Sequence, residues 1–122
     1  MIHNKLTTLD VAALPRRMRG LYLSRNKLVD LDFTKLPEAL VYLIVSENRL
    51  SSANLTKLPQ RLEYLWMHRN HLTVVDLSQL PRGLINIALR MNYLKDADFS
   101  TIPDDGRDTI VIGHGEQRSR SG

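Results

Sequence analysis

The sequence has no cysteine in its 122 residues. That excludes disulfides, zinc–thiolate centres and a thiol nucleophile, and it points to a reducing, intracellular setting. Long apolar runs are lacking as well. No window approaches the roughly 20 consecutive apolar residues that a helix needs to cross a bilayer. The opening "MIHNKLTTLD" has no basic stretch followed by an apolar one, so no secretory signal is expected, and no membrane association either. Neither sign of charge dominates. The net charge of +4 is spread through the chain, which permits an acidic partner without demanding one. Chemistry-bearing motifs are missing too: there is no Gly-rich phosphate loop, metal-ligand spacing or nucleophile elbow. His3, His68, His71 and His114 have no carboxylate or serine at a meaningful spacing, and His68 and His71, which flank Asn70, read as surface residues rather than metal ligands. The expectation is a protein that is not an enzyme and uses no cofactor or metal.

What the chain does have is a period. Asn4, Asn26, Asn48, Asn70 and Asn92 stand 22 residues apart, as do Pro15, Pro37, Pro59, Pro81 and Pro103. The polar series Asp10, Asp32, Asn54, Asp76 and Asp98 keeps the same step. Apolar columns run between them: Leu21, Leu43, Leu65 and Ile87; Leu23, Val45, Met67 and Leu89; Leu28, Leu50, Leu72 and Leu94. Further columns pass through Phe33, Leu55 and Leu77 and through Leu36, Leu58 and Leu80. Several columns holding one register along a single domain-sized chain define an internal repeat, and a repeat decides the fold before any local propensity does.

"LVYLIVSENRL" and "LEYLWMHRNHL" fit the pattern L-x-x-L-x-L-x-x-N-x-L. Over roughly residues 1 to 105 the chain resembles the leucine-rich repeat proteins, and its 22-residue units resemble the intracellular type. The resemblance implies an α/β-type repeat fold, a short right-handed solenoid with a parallel sheet of short strands on its concave face. The convex face would carry turns or 3-10 segments. Elementary stereochemistry leads the same way. In "YLIVS", alternate residues point to opposite sides, so Leu43 and Val45 face in while Tyr42, Ile44 and Ser46 face out. The amides of Asn26, Asn48, Asn70 and Asn92 are expected to form a structural ladder that satisfies backbone groups where the chain turns inward. "DFT", "NLT", "DLS" and "DFS" read as Asx turns or N-caps, with the following Pro ending each turn.

One solenoid domain is expected over residues 1–112, about five units, with the first truncated and the last degenerate. Gly106 stands at a core Leu position and His114 at the ladder Asn position. "DTIVIGHG" still reads as a strand, slipped by one residue so that Ile110 and Ile112 face inward. Residues 113–122 are expected to be a flexible basic tail. The apolar underside near Leu6 and Leu9 would be open, to be covered by missing repeats or by another subunit.

Repeat proteins of this architecture bind on the outward strand positions. Tyr22, Ile44, Trp66 and Ala88 form one such row; Gly20, Tyr42, Tyr64 and Asn86 form the next. Arg25, Glu47 and Arg69, then Lys27, Arg49 and His71, lie on the loops beyond, with His68 and Arg90 just inside. The candidate partner-binding set is therefore Tyr22, Arg25, Lys27, Tyr42, Ile44, Arg49, Tyr64, Trp66, His68, Arg69 and Arg90. Exposed aromatics beside charge suit a protein partner; simple ring packing across strands is the plainer reading. The implied role is a non-catalytic interaction module or scaffold within a larger assembly. RNA binding by the same residues is the alternative. Arg16, Arg17, Arg19, Arg61 and Arg82, on the opposite turns, read as solubilising charge.

Overall fold

Alternation over three residues is enough to make each strand here. Leu21 is buried between Gly20 and an exposed Tyr22, and the in–out order recurs at Leu43, Leu65 and Ile87. The computed structural model of the chain describes residues 7–95 and the backbone of residues 111–113. Strands β1 (Gly20–Tyr22), β2 (Tyr42–Ile44), β3 (Tyr64–Trp66), β4 (Asn86–Ala88) and β5 (Val111–Gly113) form one parallel sheet in chain order. Leu21 stands opposite Leu43, Leu43 opposite Leu65 and Leu65 opposite Ile87, so one period along the chain is one step across the sheet. Pairing continues past the strand ends. The N–H groups of Leu23, Val45 and Met67 donate to the carbonyls of Ile44, Trp66 and Ala88 at 2.8, 2.8 and 2.9 Å.

The last link departs from the period. Ile112 lies opposite Ile87, where strict repetition would put Thr109 and a one-residue slip would put Ile110. The inserted length is therefore three residues, and β5 runs one residue past position 112. His3, Lys5, Leu6, His114 and the tail lie outside the described residues.

Below the sheet, the apolar columns meet in a single buried cluster. Leu23, Leu28, Leu40, Leu43, Leu50, Leu62, Leu65 and Leu72 have no exposed surface; each such side chain contributes about 1.5–3 kcal/mol of burial. Leu31 and Val75 form a further buried column with the half-buried Ala53. At the first turns, Leu9, Leu14 and Met18 are only partly buried, whereas Leu31, Leu36 and Leu40, one unit later, are buried.

The segments that return between strands form almost no helix. Asp32, Asn54 and Asp76 accept from the backbone N–H two residues on, at 2.9, 3.1 and 2.9 Å, an Asx turn that competes with helical bonding. Asp10 does the same for Ala12 and caps a single 3-10 turn, Val11–Ala13. Each Pro opens a second turn rather than only ending the first: the carbonyls of Pro15, Pro37, Pro59 and Pro81 accept from Met18, Leu40, Leu62 and Leu84 at 3.1–3.2 Å. No helix among the described residues is long and apolar enough to cross a membrane.

Candidate recognition surface on the outer face of the sheet

With one face of each strand committed to the core, the 22-residue period sets the other face in rows. Tyr42 and Tyr64, opposite each other on β2 and β3, stack with centroids 5.2 Å apart and planes within 9°. In the next row Ile44 sits between Tyr22 and Trp66. Tyr22, Tyr42 and Trp66 remain 47%, 40% and 41% exposed, while Ile44 and Tyr64 are half-buried. Ring packing and exposure thus coexist: the rings brace one another across strands and still present edges and faces outward.

Two neighbours fix these rings, and neither is aromatic. Trp66 Nε1 donates to Asn86 Oδ1 at 3.1 Å, tying the indole to β4. A Cβ on Gly20 would lie 2.8 Å from the Tyr22 ring, so the absent side chain is the space into which that ring folds back. A Gly and an Asn at the two ends of the column that holds Tyr42 and Tyr64 were the only signals of either contact in the sequence.

Beyond the aromatics comes a polar row of Ser24, Ser46, His68 and Arg90. The hydroxyls of Ser24 and Ser46 share a hydrogen bond of 2.9 Å. His68 is half-buried, its ring 6.2 Å from that of Trp66, and its Nδ1 is buried without a hydrogen-bond partner. Burial holds the His68 imidazole below its ordinary pKa of 6.5; the positive charge of Arg90, and to a smaller extent Arg69, pushes the same way against Glu47.

The basic edge is less uniform than its composition suggests. Arg25 Nε lies 3.0 Å from Glu47 Oε2, an exposed ion pair that occupies one of the candidate cations. Lys27, Arg49, Arg69 and Arg90 are exposed. His71 is exposed as well, with its ring 6.2 Å from that of Tyr93. The structure therefore gathers Tyr22, Tyr42, Ile44, Tyr64, Trp66 and His68 on one face, with Lys27, Arg49, Arg69 and Arg90 along its margin and Arg25 turned toward Glu47. No group of three His, Cys, Asp or Glu side chains among the described residues is placed to hold a metal ion.

Asn26, Asn48, Asn70 and Asn92 lie behind this face, buried, and contribute nothing to it directly. Their amides bond to backbone: Asn48 Nδ2 donates to Leu23 O and Val45 O at 2.9 and 3.0 Å, and its Oδ1 accepts from Leu28 N at 3.1 Å. Each of Asn48, Asn70 and Asn92 thus ties its own strand exit to that of the preceding unit.

Comparison with protein-family models, with curated proteins and with solved structures finds no significant match in any of the three.

Proposed function

We propose that the chain is a short leucine-rich-repeat solenoid acting as a non-catalytic recognition module, which binds a protein partner on the outer, concave face of its strands. The observation that carries this reading is the row Tyr22, Ile44, Trp66 beside the Tyr42–Tyr64 stack: large apolar side chains, two-fifths or more exposed at three of these positions. Such rings are held by short strands whose other face is locked in the core. They lose little rotamer freedom on binding, which favours affinity. Trp and Tyr are also the residues that dominate interface energies. Lys27, Arg49, Arg69 and Arg90 at the margin would steer an acidic partner and set its orientation. The proposed module works as a scaffold inside the cell, within a larger assembly.

Affinity capture from cell extract tests this. Trp66→Ala is expected to lose captured proteins that wild type retains after nuclease treatment, while still unfolding in one cooperative thermal transition; a Trp66→Ala capture profile identical to wild type refutes the reading. Truncation of an interface Trp typically costs at least about 2 kcal/mol of binding.

A second reading, RNA binding, rests on Trp66 lying beside His68 and within reach of a cationic margin, an arrangement that stacks bases and pairs phosphates. Glu47, set into that margin beside Arg25, opposes it. Capture that disappears with nuclease and falls steeply with log salt would favour RNA.

A further inference from the structure

On the turn side of the molecule, away from the strands, three successive units enclose a groove of about 920 Å³. Its apolar floor includes Leu36, Leu58 and Pro59, all buried, together with Ala39. Four cations line it, Arg16, Lys35, Lys57 and Arg61, against one acid, Glu38. In the sequence Arg16 and Arg61 read as solubilising charge on the convex turns, and the two belong to different columns of the repeat. Folding brings both, with Lys35 and Lys57, around one concavity. None of the four lies within ion-pair distance of a carboxylate among the described residues, and Asp32 acts on Lys35 only at longer range.

Arg16 is not a loose surface side chain. Its guanidinium donates to Leu14 O at 3.1 Å, to Lys35 O at 3.2 Å and to Val11 O at 2.6 Å. A guanidinium has five N–H donors, so two remain for a ligand while the charge is already immobilised. A pre-ordered cation loses less freedom on binding than a free one.

We infer that this groove is a second binding surface, separate from the outer face of the sheet, and that it takes an extended acidic polypeptide segment. Charge complementarity sets the acidic character. Because the cations are distributed over three units rather than converging on one point, the groove matches charges spaced along a chain, not a single anion. The aliphatic floor accepts the apolar side chains that alternate with acidic ones in an extended segment. A nucleic acid is the poorer fit, since no aromatic ring lines the groove to stack a base. Glu38 would disfavour any segment presenting an acid at its position, which gives the groove a register.

Fluorescence anisotropy with a labelled peptide of alternating Glu and Val tests the inference at about 0.15 M salt. Wild type is expected to bind, and Lys35→Glu with Lys57→Glu to weaken binding about tenfold, as loss of a few partly screened charge contacts should. Arg82→Glu with Lys95→Glu makes the same change in net charge outside the groove and is expected to have no such effect. Trp66-dependent capture of partners should survive the groove substitutions, which separates this inference from the reading of the outer face. If the charge reversal impairs folding, as judged by the thermal midpoint, Lys35→Gln with Lys57→Gln gives a smaller loss in the same direction. Absence of binding by wild type, equal weakening in the control pair, or displacement of the peptide by a single-stranded oligonucleotide of equal charge would each overturn the inference.

Discussion

Asn70 has no exposed surface, and its amide is committed to the backbone: Nδ2 donates to Val45 O and Met67 O, both at 3.0 Å, and Oδ1 accepts from Leu50 N at 3.1 Å. Asn92 repeats the arrangement one unit on, with Met67 O and Leu89 O as acceptors and Leu72 N as donor. Removing one such side chain leaves several buried groups unpaired at once. Asn70→Ala is expected to lower unfolding free energy by about 1–3 kcal/mol, measured by urea denaturation, because orphaned polar groups lose their full solvation. An unaltered urea midpoint would contradict that role for the ladder. The column was legible in the sequence as a period. Its acceptors were not, because half of them belong to the preceding unit and become neighbours only after the sheet has formed.

At the scale of elements, the least legible feature is the exit from each strand. Arg25, Glu47, Arg69 and Met91 all have φ near +60°, at 60, 57, 58 and 58°. This left-handed step turns the chain so that the next residue, the ladder Asn, points inward. It also sets the marginal side chains apart from the core, which is why that column tolerates Arg, Glu and Met alike. Left-handed positions are usually announced by Gly or Asn; here they are not, since the strain is offset by the Asn bonds that follow. A β-branched residue suffers most in this region. Met91→Val is therefore expected to destabilise by about 1–2 kcal/mol and Met91→Gly by little or nothing, compared by thermal melts. Equal melting of the two variants would argue against a conformational cause. The return segments were easier to read. Asp32, Asn54 and Asp76 with their Thr or Ser two residues on are local in sequence and form local turns.

Taken as a whole, the molecule should lose stability toward acid in two separate stages. His68 titrates below its ordinary value when folded, because burial and then Arg90 disfavour its charged form. The unfolded chain therefore takes up this proton first, and stability falls as pH drops from about 7.5 through the unfolded value near 6.5 to the folded one. The Thr34 hydroxyl and N–H hold the Asp32 carboxyl below 3.8, and the Ser78 hydroxyl and N–H do the same for Asp76. Their contribution is present above 3.8 and is lost only as pH falls through their lowered values. Urea midpoints across this range should show the first decline in wild type and not in His68→Gln; its persistence in that variant would assign it to another group.

The 22-residue step, the parallel order of short strands and the assignment of buried columns are properties of the sequence alone. Alternation within three residues sides each residue, and a fixed period stacks like on like. Tertiary structure decided the rest. It placed the Asn86 amide oxygen at the Trp66 indole N–H, let the Tyr22 ring fold over Gly20, matched Arg25 to Glu47, set Ile112 three residues out of step opposite Ile87, and closed Arg16, Lys35, Lys57 and Arg61 around a groove. These contacts join different columns or different units, so their distances exist only once the units have been stacked.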